Sequence, residues 1–374
     1  MEKGNLVEAL ESRGILVDDW KIVKPHTREM EEGWNGVLWW ESEETQQWVF
    51  DTCCNIVEES QTNMESLATR LDGRALARLS GMCGALTLDV EGGGALSKDV
   101  ARVAWFAAHS QGNLPFDLDT YLRLQIYRGQ YLDLVGFYRD QLAQSTYDDT
   151  FAPDIVEMLS DMNDFYQEIM DKEPTEFNDQ VEQAWAIGNL MVMAQTISRG
   201  AFLQLEVGLR IMSSSMANQF ITAVAPHFSA IWLRYDSPEW EQVSNVHYTI
   251  MHSMAAYSSI MLRNLTPVEI SDEIILESAD KACMDGHELS ARETFHTLFG
   301  HIVRLRSLAS LGIEGSRWED AVSRAERAIE MTESLADFSH RQASLETIMS
   351  LIETGRIGDM QLYADDHSGK IDFM

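Results

Sequence analysis

The stretch that decides the fold runs from residue 183 to residue 235 and reads QAWAIGNLMVMAQTISRGAFLQLEVGLRIMSSSMANQFITAVAPHFSAIWLRY. It holds one carboxylate, Glu206, against three arginines, Arg199, Arg210 and Arg234. By contrast, residues 140–182 carry thirteen Asp or Glu and a single cation. Ala, Leu, Met and Gln dominate the stretch and favour long helices. It is therefore either the buried middle of a helical protein or the wall of a site for an anion.

The composition of the whole chain sets the frame for that choice. The chain has 374 residues, of which 45% are hydrophobic, so a large core or two domains can form. Its net charge of -32 repels nucleic acid and anionic membranes at long range. A polyanionic partner must therefore meet a local cationic groove. Adaptation to high salt is another explanation for the acidity.

Cysteine spacing and hydropathy bear on three questions: zinc binding, the redox state of the thiols and membrane spans. Cys53, Cys54, Cys83 and Cys283 form no C-x-x-C pair and no zinc-site spacing. We expect reduced, mostly buried thiols. The N-terminus begins no apolar signal region, and no run of about 18 apolar residues occurs, so we predict no membrane span.

Helical periodicity and breakers predict an all-α fold with a boundary between two helical lobes near Pro174. If the two lobes face each other, a cleft lies between them, with N- and C-terminal arms outside it. Residues 1–60 form the N-terminal arm, in which four tryptophans crowded into residues 34–48 are either a packing anchor or a surface that docks on a neighbour. Residues 61–175 form the N-terminal lobe, and residues 176–353 form the C-terminal lobe. Residues 354–374 form a polar tail that we expect a partner to order. The four tryptophans are Trp34, Trp39, Trp40 and Trp48.

The cations are mostly arginines, which suit bidentate contacts to phosphate. One helix is predicted from Asn63 to Met82, so that three arginines four residues apart form a cationic stripe on one face. If such residues line the cleft, they would suffice to bind single-stranded RNA without sequence preference. The alternative is that these cations only form ion pairs with the sixty carboxylates. The candidate RNA-binding residues are Arg70, Arg74, Arg78, Lys98, Arg102, Arg199, Arg210, Arg234, Arg263, Arg304 and Arg306.

Catalytic patterns are sparse. Glu293 and His296 share a helical face at the spacing that di-iron carboxylate bundles use. Those bundles need a second Glu-x-x-His pair, which this chain lacks. No nucleophile elbow, phosphate-binding Gly-rich loop or dinucleotide fingerprint occurs either. We therefore predict a protein that is not an enzyme and needs no cofactor or metal. A helical di-metal oxidase is the less favoured alternative.

Three short segments resemble the nucleoproteins of non-segmented negative-strand RNA viruses. The first is residues 226–233, PHFSAIWL, which is similar to a segment of that family's second lobe. The second is residues 176–181, EFNDQV, and the third runs from Ser237 to Asn245 with Arg263 and Asn264 further on. The glycine that often follows the first segment in the family is Arg234 here.

This resemblance implies a two-lobed helical protein that holds single-stranded RNA in its cleft. It also implies arms exchanged between neighbouring copies and a helical or ring-shaped polymer. The expected partners are RNA, the chain itself as a homo-oligomer, and a viral polymerase or phosphoprotein, but no membrane. The expected locations are the virion and the host cytoplasm. The alternative is a helical scaffold or adaptor protein that binds no RNA.

Overall fold

The structure is a computed structural model, and it describes residues 3–15, 42–86, 93–144, 152–199, 207–235, 245–265, 270–283, 294–332 and 349. These residues form twelve helices, with no strand among them. The prediction of an all-α protein is therefore confirmed for the described part of the chain. The tail 354–374 and the tryptophans at positions 34, 39 and 40 lie outside the described residues.

The helices follow one another in chain order, and each is defined here by its end residues. Those of the first half are α1 (Lys3–Glu11), α2 (Glu43–Arg70), α3 (Gly73–Leu86), α4 (Gly93–Ser110), α5 (Phe116–Gln144) and α6 (Ala152–Asp171). Those of the second half are α7 (Phe177–Arg199), α8 (Val207–Tyr235), α9 (Asn245–Leu265), α10 (Asp272–Ala282), α11 (Thr294–Ser310) and α12 (Ser316–Thr332).

The chain divides into two compact units that are not consecutive in sequence. The first unit contains residues 1–137 and 164–186, and the second contains residues 138–163 and 187–374. Residues 138–163 thus belong to the same unit as residues 187–374. The boundaries fall within α5, α6 and α7.

In the first unit, α2, α3 and α4 pack on one another, and α1 packs on α3. Two glycines face each other where α4 crosses α5. A Cβ atom built on Gly129 would lie 2.7 Å from the carbonyl oxygen of Gly94 and 2.8 Å from the backbone nitrogen of Lys98. Side chains at these two positions would force the helices apart, so the glycines allow their backbones to touch.

The second unit is built around α9, α10, α11 and α12, which pack in successive pairs. Alanines and branched aliphatic residues fill the core between them. Gly300 in α11 lies against the carbonyl of Ala282, so here too a missing side chain allows a close helix crossing. The core residues are Ala256, Leu276, Ala279, Leu298, Ile302, Val303, Leu305, Leu308, Ala321, Ala325 and Ala328.

Short polar residues begin several helices. The hydroxyl of Ser42 accepts a hydrogen bond from the backbone N–H of Thr45 at 3.2 Å, and the Ser271 hydroxyl does the same for Ile274 at 3.3 Å. Short non-helical segments at residues 111–115 and 311–315 separate α4 from α5 and α11 from α12. Gly112 and Gly312 have φ angles of 64° and 65°, which favour glycine after a helix end.

The predicted continuous helix from Asn63 to Met82 is wrong, because α2 ends at Arg70 and α3 begins at Gly73. Asp72 causes the break. Its Oδ1 accepts hydrogen bonds from the backbone N–H of Arg74 at 2.9 Å and of Ala75 at 3.1 Å. This is N-cap geometry, so a new helix starts where the side-chain spacing suggests that one helix continues.

Candidate nucleic-acid-binding residues

The eleven predicted RNA-binding cations differ in their surroundings. Three of them, Arg199, Arg210 and Arg234, lie in α7 and α8, but their side chains fall outside the described part of the structure. The other eight are described. The arginines at positions 70, 74 and 78 do not form the predicted stripe on one helix, because the break at Asp72 separates the first from the other two.

Four of the eight form ion pairs with carboxylates. Arg70 pairs with Glu59, and Arg263 pairs with Asp272. The Arg102 guanidinium lies 3.5 Å from Asp99, three residues earlier on the same exposed helix face. The fourth, Arg304, has two carboxylate partners. A phosphate group would have to displace a carboxylate at each of these positions.

Arg304 belongs to a charged cluster on α10, α11 and α12. Its Nε donates to Oδ1 of Asp280 at 2.9 Å, and its Nη2 donates to Oδ2 of Asp320 at 3.2 Å. Arg317 also binds Asp280, at 2.6 Å, and Arg324 binds Asp320, at 3.0 Å. The Arg304 side chain is only 6% exposed. Its two carboxylate partners lie on α10 and α12, so the cluster joins three helices. This is the role that the ion-pair alternative assigns to the arginines.

The remaining four described cations show three different environments. Arg78 and Arg306 are almost completely buried, at 1% and 2% exposure. Lys98 is half-buried on α4. Burial of the Asp133 carboxyl raises its pKa, and the charge of Lys98 lowers this pKa by a smaller amount. Arg74 is half-buried near the start of α3. Only Arg102 and Arg263, both already paired, are exposed among the described candidates.

Arg128 was missed by the sequence reasoning. It lies in α5 with 6% exposure, and its Nε and Nη2 have no hydrogen-bond partner among the described residues. Burial lowers the pKa of Arg128 to about 10, which the nearby Tyr121 partly offsets. Nearby Arg123, by contrast, pairs with Glu168 and lies over the ring of Phe165 at 4.4 Å. The available sequence signal was the helical spacing of Tyr121, Gln125 and Arg128, which puts a cation on a buried face.

The di-metal alternative gains no support in the described residues. Glu293 lies outside them, and the His296 side chain does as well. No group of three His, Cys, Asp or Glu side chains in the described part could hold a metal ion. His301, which follows on α11, is buried, and its surroundings lower its pKa to about 4. The four cysteines, all of them within the described residues, form no disulfide, and three of them are buried.

The chain matches no protein-family model, no curated protein and no solved structure.

Across the described residues, no helix combines the length and the apolar character that a membrane crossing requires.

Proposed function

We propose that this protein is a viral nucleoprotein that encapsidates single-stranded RNA without sequence preference and polymerises along it. One observation carries the proposal: in a chain of net charge -32, residues 183–235 hold three arginines and one carboxylate. These residues belong largely to two long helices, α7 and α8. Arginines in such an acid-poor stretch have few carboxylates next to them in the sequence that would compete with phosphate.

The ion pairs of the described arginines narrow the proposed contact set. We assign the phosphate contacts to Arg199, Arg210 and Arg234. Arg304 instead has a structural role in its carboxylate cluster. The all-helical architecture is compatible with two lobes that hold RNA in a cleft. In this proposal, the N-terminal segment and the C-terminal tail link neighbouring copies into a nucleocapsid. A viral polymerase or phosphoprotein would then bind the polymer, in the host cytoplasm and in the virion.

The first test is the ratio of absorbance at 260 nm to that at 280 nm, together with particle size, for protein purified in moderate salt. Bound RNA gives a high ratio, with rings or filaments that nuclease shortens. If the ratio is that of protein alone and the particle is small, single-stranded RNA is added at low salt. Failure to bind RNA under those conditions would contradict the proposal.

The second test reverses charges in the proposed contact set. Arg199→Glu and Arg210→Glu should each weaken binding of poly(U) and of mixed-sequence RNA alike, by about tenfold or more, because each removes a phosphate contact and adds repulsion. Arg327→Glu is the matched control, since this exposed arginine of α12 changes the net charge equally. Equal RNA affinity for all three variants and the parent would refute the site assignment.

A second candidate function is a helical scaffold or adaptor that binds no RNA. The observation that favours it is the Arg304 cluster, in which arginines balance carboxylates and join helices. This function predicts protein free of nucleic acid even after RNA is added at low salt, and a defined protein partner. Affinity purification with and without nuclease separates the two candidates, because only the nucleoprotein would release RNA fragments on nuclease treatment.

A further inference from the structure

A buried guanidinium in the first unit has no carboxylate partner among the described residues, although such a group normally has one. Arg128 keeps 6% of its accessible surface, and neither Nε nor Nη2 meets solvent or a hydrogen-bond acceptor in the described part of the chain. Arg304 is buried to a similar degree but donates to two carboxylates. Taking a charge out of water without a partner is among the costliest arrangements in a folded protein.

The positive charge of Arg128 persists at neutral pH. Burial lowers the pKa of its guanidinium to about 10, so it stays protonated at pH 7. The neighbouring Tyr121 is the group that favours the charged form. A tyrosine is a weak substitute for a carboxylate, because its phenol is neutral at this pH. The positive charge therefore remains without a neutralising partner among the described residues.

The two nitrogens without partners are the pair best suited to an oxyanion. The N–H bonds of Nε and Nη2 point the same way along one edge of the planar guanidinium. Two parallel donors of this kind match two oxygens of one phosphate or carboxylate. The cation of a lysine, by comparison, is a point charge without such a preferred edge.

The surroundings of Arg128 are polar and aromatic. Tyr121, Gln125 and Arg128 share one face of α5 at helical spacing. Gln125 is 2% exposed, and its Oε1 accepts no hydrogen bond from any described residue. The Tyr121 ring stacks on that of Trp185, with centroids 5.8 Å apart and planes 20° apart. This face thus offers charged donors to an anion and, one turn away, an acceptor for a hydroxyl or a water molecule.

We propose that Arg128 binds a phosphate group through Nε and Nη2. Two sources share this chemistry: inorganic phosphate and the phosphodiester backbone of RNA. The RNA source rests on the proposed function, whereas the inorganic source does not.

The first arm of the test measures thermal unfolding of the full-length, RNA-free protein in phosphate and in chloride at equal ionic strength. Phosphate stabilises proteins in general, so the comparison is between variants. The parent should gain more in Tm from phosphate than Arg128→Met does. Arg123→Met, on the same helix but with its guanidinium paired to Glu168, should keep the phosphate response of the parent. An equal response in parent and Arg128→Met would overturn the inference for inorganic phosphate.

The second arm measures the affinity of the same proteins for a fluorescent single-stranded RNA over a range of salt concentrations. Arg128→Met should bind about tenfold to a hundredfold more weakly, the usual effect of a lost charge-assisted contact. Its plot of log affinity against log salt should be shallower by about 0.7, as for one lost phosphate contact to a single strand. Arg123→Met should keep the affinity and slope of the parent.

The two arms separate failure of the inference from failure of the proposed function. A parent that shows the phosphate response but binds no RNA supports the Arg128 site with inorganic phosphate and refutes the nucleoprotein. RNA binding that is equal in parent and Arg128→Met, with no specific phosphate response, overturns the Arg128 site and leaves the nucleoprotein intact. If Arg128→Met does not fold, the phosphate response of Arg128→Lys is measured in its place, because lysine keeps the charge but not the two parallel donors. Loss of the phosphate response in that variant supports the site, and an unchanged response overturns it.

Discussion

Burial sets the protonation state of His301, a residue of α11 next to the charged cluster. The side chain is 5% exposed, and its Nδ1 has no hydrogen-bond partner within the described residues. Desolvation, then the charges of Arg304 and Arg327, lower the pKa of His301 to about 4. All three causes oppose a second positive charge at this position, so the imidazole stays neutral when the protein is folded at neutral pH.

This residue makes the second unit sensitive to acid. In the unfolded chain His301 binds a proton near pH 6.5, while in the folded chain it does so only near pH 4. Below pH 6.5 the unfolded state therefore holds more protons, and stability falls until the folded pKa is reached. We expect the parent to lose roughly 2 to 3 kcal/mol more than His301→Leu between about pH 6.5 and pH 4. Urea denaturation at several pH values measures this difference, and parallel pH profiles would contradict it.

At the scale of the helices, close packing rather than intrinsic propensity controls several positions. Gly94 and Gly129 permit the crossing of α4 with α5, and a Cβ atom on Gly94 would lie 2.5 Å from the backbone nitrogen of Asp133. A backbone neighbour cannot move aside as a flexible side chain can. Gly84 on α3 differs, because a Cβ atom there would meet the Ser97 hydroxyl at 3.1 Å.

We therefore expect alanine substitution to change the free energy of unfolding by different amounts at the two glycines. Gly94→Ala should lower the free energy of unfolding by about 1 to 3 kcal/mol, since the clash outweighs the gain in helix propensity. Gly84→Ala should change it by less than about 1 kcal/mol, because the propensity gain offsets a mild contact. Denaturant unfolding of both variants checks the contrast. A Gly94→Ala protein as stable as the parent would show that the helices do not cross this closely in solution.

At the scale of the whole molecule, the excess of acids dominates the electrostatics. Sixty Asp and Glu face twenty-eight Lys and Arg. The exposed ion pairs, such as that of Arg102 with Asp99, contribute little each. Repulsion among the unpaired carboxylates opposes the compact state over distances that salt can screen.

Salt should therefore stabilise the RNA-free protein although it weakens RNA binding. We expect Tm to rise by several degrees between about 20 mM and about 0.5 M sodium chloride, as the Debye length shrinks below the spacing of surface charges. Differential scanning calorimetry on nuclease-treated protein measures this rise. A Tm that falls with salt would mean that ion pairs, rather than repulsion, dominate.

The amino-acid sequence by itself determined the helical class, because periodic apolar residues and turn residues act locally. It did not determine where α2 ends. Spacing alone cannot show that the Asp72 side chain caps a new helix.

Only the tertiary structure decided which cations have partners. Arg304 and Arg128 look alike in the sequence, yet one donates to Asp280 and Asp320 while the other lacks an acceptor for Nε and Nη2 among the described residues. These contacts join positions far apart in the chain, so no local pattern predicts them. The balance between desolvation and pairing depends on what surrounds a charge in three dimensions, and that is settled only when the helices pack.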